Sequence, residues 1–274
     1  MAPKADVAVS HFVLTRFNIA SEGREEAIRN SPGWLERRFE LFETYCLPSM
    51  AAQTCRNFRW LIYFDNGTPS AIRERIVRCQ EIFPFEALFV DFCDMKMSLR
   101  DVASRLSPDA ERIITTRLDN DDAIAIDFVE KIQARARSCN PGTVLNFSHG
   151  IALRNGLAYS AYDASNPFTS LISCAEDIRV IWEATHRSLA DTFDLKQVRD
   201  DPVWLQVVHG ENVANRIKGR LLPSSAIAKS FAIDAETFVD PSKGRLILDR
   251  TLFWPMRRCR EALIGRIKTF TVRH

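Results

Sequence analysis

Three carboxylates crowd into four consecutive residues, Asp119-Asn120-Asp121-Asp122. Hard divalent cations such as Mg²⁺ and Mn²⁺ take carboxylate oxygens and usually share them with substrate phosphates, so a D-x-D with a third acid beside it suits a cation-assisted phosphate site. Acids this close repel unless a cation or solvent relieves them. A solvated turn with a helix cap would carry the same letters. The preceding run, Arg112-Ile-Ile-Thr-Thr-Arg-Leu118, favours chemistry, because it reads as a buried strand that ends on the acids. The pattern is not an EF-hand, since the further ligand positions and the glycine of such a loop are missing. A second aspartate, Asp65, closes another apolar run (58–64) and opens the turn Asp65-Asn-Gly-Thr-Pro69. Arg100, Arg105 and Arg117 are cations that could meet a phosphate.

These acids need a framework, and the chain supplies strand-helix alternation. Val7 to Leu14, Phe58 to Phe64, Ala87 to Phe92, Arg112 to Leu118 and Thr143 to Phe147 read as strands. Between them, Trp34 to Thr54, Ser70 to Ile82, Ser98 to Leu106 (with Ser98 as cap) and Asp127 to Ser138 read as helices. The alternation predicts an α/β fold with a mostly parallel central sheet flanked by helices and right-handed crossovers. Ligands in such sheets bind at the carboxyl ends of the strands, where Asp65 and the Asp119 cluster sit. Further on, Tyr159 to Pro167 reads as a loop, and Phe168 to Ile172 and Ile178 to Trp182 as strand-like pieces flanking Ala175-Glu-Asp177. Asp201-Pro202 followed by Val203 to His209 and then Gly210 has the punctuation of a helix, with Asp201 as N-cap.

Composition narrows the function classes. Lys plus Arg is 37 against Asp plus Glu 35, a net of +2, which argues against a nucleic-acid protein held by phosphate contacts. The longest stretch without a charged residue, Ser138 to Leu153, is sixteen residues broken by Pro141, Gly142 and Gly150, whereas a membrane span needs roughly 20 apolar residues. The first residues have no apolar signal core before the first acid, so secretion is not expected. Seven cysteines without a C-x-x-C pair predict reduced thiols in a cytoplasmic enzyme, several of them buried as small hydrophobes. The tail, Met256 to His274, carries six basic residues and one acid, with Leu263, Ile264, Ile267 and Phe270 on one helical side. A helical, basic, amphipathic tail predicts loose contact with an anionic membrane, at the inner membrane face.

The layout resembles the GT-A (Rossmann-like) fold of nucleotide-sugar glycosyltransferases. Leu118-Asp-Asn-Asp-Asp122 is similar to the L-D-x-D-D form of that family, and Phe64-Asp-Asn-Gly-Thr68 to its aspartate-glycine turn. More narrowly, Thr15-Arg-Phe-Asn18, the Leu41 to Ser49 segment and Trp204-Leu-Gln-Val-Val-His-Gly-Glu-Asn212 resemble the rhamnosyltransferase family of bacterial polysaccharide gene clusters. The resemblance implies a glycosyltransferase domain over 1–222, with a nucleotide-binding half to 122 and an acceptor half from 123, followed by a C-terminal extension over 223–274.

The resemblance also implies roles. Thr15, Arg16 and Phe17 would line the nucleobase pocket, Asp65 would accept a hydrogen bond from the base, and Asp119 would face the ribose and the metal shell beside Arg117. Asp121, with Asp119, Asp122 and His209, would form the set around a divalent cation, Mn²⁺ or Mg²⁺. An inverting enzyme needs a base for the acceptor hydroxyl, and the pair Asp200-Asp201, at the expected helix start, takes that role. Glu176-Asp177 is the rival pair. The expected activity is a metal-dependent, inverting transfer of a sugar, L-rhamnose in the narrower resemblance, from a nucleoside-diphosphate sugar to a glycan or glycolipid acceptor. Two alternatives stay open: a nucleotidyltransferase or phosphohydrolase on the same carboxylates, and a non-catalytic carbohydrate-binding protein of the same fold.

Overall fold

A computed structural model describes residues 8–20, 24–209 and 217–271. Among these, seven strands form one sheet in the order β10-β6-β9-β4-β1-β2-β3. They are β1 (Val9–Arg16), β2 (Arg59–Asp65), β3 (Glu86–Val90), β4 (Arg112–Arg117), β6 (Thr143–Phe147), β9 (Thr169–Ser173) and β10 (Asp194–Val198). The β4-β1-β2-β3 block is parallel throughout, and β10 is parallel to β6; β9 alone runs against both its neighbours. A smaller sheet, β5-β11-β7-β8, is built from β5 (Ala123–Ile124), β7 (His149–Arg154), β8 (Leu157–Tyr162) and β11 (Trp204–Val207). The mostly parallel α/β architecture that the sequence implies is present.

Both faces of the large sheet are covered, which explains the nearly unbroken apolar runs in its strands. Side chains alternate: Val13, Trp60, Ile62 and Phe64 enter one core with Phe39 and Phe42, while Phe12, Leu14, Leu61 and Tyr63 enter the other with Val102 and Leu171. The first core is layered by α2 (Trp34–Leu41), a π-turn (Phe42–Cys46) and α3 (Leu47–Ala51), preceded by the short α1 (Arg24–Arg29). Pro48 cannot donate to the preceding turn, and it lies just beyond the π-turn that absorbs the mismatch. Helices α4 (Ser70–Ile82), α5 (Met95–Ala103) and α6 (Phe128–Ala136) follow their strands as expected. Asp94, however, is the cap of α5, accepting from Met97 N at 2.7 Å, while Ser98 lies buried inside the helix.

Two larger expectations are corrected. Residues 204–207 form strand β11, not a helix, and Val203, Trp204, Leu205 and Val207 are all buried. Pro202 fits ahead of a strand as well as at a helix start, and residues buried on successive positions mimic both periods. Gly210, the expected helix stop, lies outside the described residues. Likewise Tyr159 to Tyr162 belong to β8 and not to a loop, because Asn155-Gly156 at φ 50° and 71° closes a tight hairpin with β7. Residues 178–182 form no strand, and Ile181–Glu183 is a 3₁₀ turn. In the small sheet Gly150 faces Trp204, where an added Cβ would meet the indole at 2.1 Å.

Past α7 (Leu189–Thr192) and β11, the chain returns through 217–238 and places Ile227, Phe231 and Ile233 in the main core. Helix α8 (Lys243–Leu248), a second π-turn (Asp249–Phe253) and α9 (Trp254–Thr271) then run on as one long helix, as the tail's pattern requires. Buried Asp249 anchors it, accepting from Arg257 at 2.6 Å and from Leu221 N at 2.7 Å. No helix among the described residues is long and apolar enough to cross a membrane.

A buried polar chain crosses the sheet from α6 to β9: Gln133 to His11 (3.4 Å), His11 to Thr116 (2.8 Å) and Thr116 to Ser170 (2.7 Å). Burial pulls the His11 pKa from 6.5 down to about 3, so the ring stays neutral in the fold. The unfolded chain takes up this proton near pH 6.5, and the folded chain refuses it until about pH 3. Stability from this residue is therefore present above pH 6.5 and lost as pH falls, by about 1.4 kcal/mol per pH unit. Urea unfolding at pH 7, 6 and 5 should show that extra loss in the parent and not in His11→Gln.

Candidate active site

The acids end β4 beside three other elements, and each acquires its own partner. Asn120 turns inward, its amide donating to the carbonyls of Phe17 (2.8 Å) and Arg16 (3.2 Å), which ties the chain after β1 to the end of β4. Asp119, the most exposed of the three, pairs with Arg117 at 3.1 Å. Asp121 is buried, and its Oδ2 meets both Arg38 Nη1 from α2 at 2.5 Å and His209 Nε2 at 2.9 Å. Burial pushes the Asp121 pKa up, but the hydrogen bond from His209 and the Arg38 charge outweigh it and hold the carboxyl below its usual range. Asp122 has no ion-pair partner among the described residues. Burial and then repulsion from Asp121 and Asp119 raise its pKa well above normal, although its Oδ1 accepts from Val207 N at 2.8 Å.

A cavity of about 530 Å³ opens over this cluster, within the ordinary size of a ligand pocket. Arg16, Phe17, Arg117, Asp119, Asp121 and Asp122 all reach its wall, so six of the expected residues share one space. Thr15 does not: it is fully buried, and its hydroxyl accepts from the Trp60 indole at 2.9 Å. Asp65 is also off the wall, bonded within its own turn to Gly67 N at 2.6 Å and facing Arg29 at 3.5 Å. Phe17 spends most of its ring on Phe39 and Phe64, at 4.3 and 4.9 Å between centroids.

Asp200 and Asp201 line a neighbouring cavity of about 380 Å³, which shares only Ser160 and Ala161 with the first. Asp200 is held by Arg135 at 2.6 Å, and no helix begins at Asp201. The helix field invoked for a base there is thus missing. Glu176-Asp177 lie beyond Ser173, which pairs with Ile113 near the start of β4, so they stand at the opposite end of the sheet from the acids.

Three residues of the cavity escaped the sequence reading. Arg38 was hidden in an amphipathic helix, although its i,i+4 spacing from Trp34, also on the wall, was a signal. Trp182 carries the Arg16 guanidinium over its ring at 4.4 Å. His186 is on the wall too, and so is Asp163, which directly follows β8 in the part of the expected Tyr159 to Pro167 loop that is a loop. Its Oδ1 accepts from Ser165 N at 2.8 Å.

Whether these donors suit a divalent cation can be tested on their geometry. Among the described residues no three His, Cys, Asp or Glu side chains gather as a ready cage. Asp121 Oδ2 and His209 Nε2 nevertheless lie 2.9 Å apart, a spacing suited to adjacent ligands of one ion. Mg²⁺-type sites commonly use one or two protein ligands and leave the remaining positions to substrate phosphates and water. The pair fits such a site, and Asp119 and Asp122 do not join it directly.

Comparisons with known proteins reach different depths. No curated protein matches the sequence. Among solved structures, S. aureus TarS 1–349 in complex with UDP is 11% identical with a TM-score of 0.41, over 74% of this chain and 61% of that one. The inositol-1-phosphate CTP transferase from T. maritima is 8% identical, TM-score 0.34, over 77% and 93%. HddC from Yersinia pseudotuberculosis is 12% identical, TM-score 0.33, over 71% and 91%. The chain spans less than two thirds of the TarS structures it matches, down to 37% of the longest. The family identification rests instead on a sequence model described as "Putative rhamnosyl transferase", which matches residues 10–221. Over that span, most of its length, this chain belongs to the rhamnosyl transferase family.

Proposed function

We propose that the protein is a nucleotide-sugar glycosyltransferase that moves a sugar, L-rhamnose in the narrowest reading, from a nucleoside diphosphate to a hydroxyl of a glycan or glycolipid. The observation that carries this reading is the convergence of Asp119, Asp121, Arg38, Arg117 and Arg16 on one cavity at the carboxyl ends of parallel strands. In the proposed arrangement Arg16 and Trp182 form the nucleobase end, and Arg117 and Arg38 meet the diphosphate. A divalent cation held by Asp121 and His209, with diphosphate oxygens in its shell, would neutralise charge developing on the leaving group. The acceptor oxygen bonds to the anomeric carbon as the bond from that carbon to the diphosphate oxygen breaks, which inverts the centre. The hydroxyl proton passes to a carboxylate on the acceptor side.

Asp163 is the better base than Asp200 or Asp201, because it lies on the same cavity as the diphosphate-binding cluster while they line the neighbouring one. Asp163→Asn should leave nucleotide binding by calorimetry unchanged and lower transfer by roughly 100-fold or more. Collapse in Asp201→Asn or Asp200→Asn, with Asp163→Asn active, would return the role to the acidic pair.

The same reading sets the C-terminal helix against an anionic membrane that carries the acceptor. Ile247, Leu248, Leu252, Phe253, Met256 and Leu263 are each between 44% and 64% exposed, beside exposed Arg245, Arg250 and Arg258. The side chains of Ile267, Phe270, Arg266, Lys268 and Arg273 lie outside the described residues. Apolar and basic groups together favour docking at an anionic interface, each basic residue contributing on the order of 1 kcal/mol. Co-sedimentation with phosphatidylglycerol vesicles should be salt-sensitive in the parent and weakened in Leu252→Gln/Met256→Gln. Equal recovery of both proteins would contradict the contact.

A further inference from the structure

Arg38 is built into the cavity floor in an unusual way for a phosphate-binding arginine. Its side chain is only 13% exposed, and its Nη1 lies 2.5 Å from Asp121 Oδ2 and 3.4 Å from Asn120 Oδ1. Its guanidinium stands 5.2 Å from the Trp34 ring centre. Among the described residues its Nε is buried without a hydrogen-bond partner, although the same side chain faces the cavity. A buried donor left unsatisfied is costly, and such an atom points to a partner that arrives later. The oxygen that Arg38 holds is also the one that pairs with His209, so Arg38 sits where the proposed cation would bind. A guanidinium and a divalent cation compete for that oxygen by charge and by space.

We infer that Arg38 couples cation binding to donor binding. With the cavity empty, it neutralises Asp121 and keeps the affinity for a cation low. An incoming nucleoside diphosphate offers a forked acceptor that guanidinium groups match in two parallel hydrogen bonds, one of which would satisfy Nε. Arg38 turns to the diphosphate, and Asp121 Oδ2 becomes available to the cation. Arg38 is thus a positioning residue, and by linkage nucleotide and cation raise each other's affinity equally. This inference rests on the proposed donor and cation site.

The test reads the cation directly and not through turnover. Mn²⁺ without nucleotide is titrated into parent and Arg38→Met, free Mn²⁺ being followed by its paramagnetic resonance signal. Arg38→Met should bind Mn²⁺ about tenfold more tightly or better, and adding Asp121→Asn to it should abolish the gain. Circular dichroism checks the fold, and Arg38→Gln serves if the Met variant does not fold. Calorimetry of UDP and of dTDP should show parent affinity rising with Mn²⁺, and rising less in the variant. If the parent binds Mn²⁺ alone as tightly as the variant, the coupling is refuted while the cation site stands. If no protein binds Mn²⁺ and nucleotide binding ignores it, the cation site fails and this inference with it.

Discussion

Charge crowding at the end of β4 is the constraint on which the site's construction depends. Two carboxylates about 4 Å apart repel by about 4 kcal/mol at an effective dielectric of 20, so three in four residues must be compensated or dispersed. The chain compensates each from a different place. Arg117 comes from β4 itself, Arg38 from α2, and the Val207 N–H and His209 from β11 and just beyond it. Asn120, the one uncharged member, points the other way and fastens the chain after β1. The first helical layer and the small sheet therefore meet the large sheet at the acids. Packing and electrostatics share one junction, and the cavity lies over it.

That junction also separates two spaces. The larger cavity contains the acids, the arginines and Trp182, whereas the smaller one lies across β8, with Ser160 and Ala161 common to both. Asp163 comes just after β8 and lines the larger cavity, not the smaller one. The C-terminal helix is pinned by Asp249 and Arg257 to the 217–221 strip, next to Ser160, which places its exposed apolar residues on a fixed part of the protein.

The parallel half of the fold is legible in the sequence because its signals are local. The apolar runs of β1, β2 and β4 are buried on both faces, and α4 has the expected bounds of Ser70 to Ile82. The acids after β4 are legible for the same reason. The features that escape the sequence depend on partners distant along the chain. Trp204 to Val207 is a strand because β7 lies beside it, and a run buried on consecutive residues carries no period that distinguishes it from a helix. Asn155-Gly156 does carry a local hairpin signal, but the small and polar residues of 160–166 give the segment after it the composition of a loop. Arg38 cannot be assigned from sequence, because Asp121 is 83 positions away and only the fold unites them.

The central claim, that the cavity serves a nucleotide-sugar donor, is tested most directly by products. The protein would be incubated with a panel of nucleotide sugars and Mn²⁺, and the released species identified by mass spectrometry. Slow turnover of one donor to a nucleoside diphosphate and a free sugar of inverted anomeric configuration is the predicted result. Release of a nucleoside monophosphate or of pyrophosphate would contradict it and assign the same carboxylates to nucleotidyl transfer or phosphate hydrolysis.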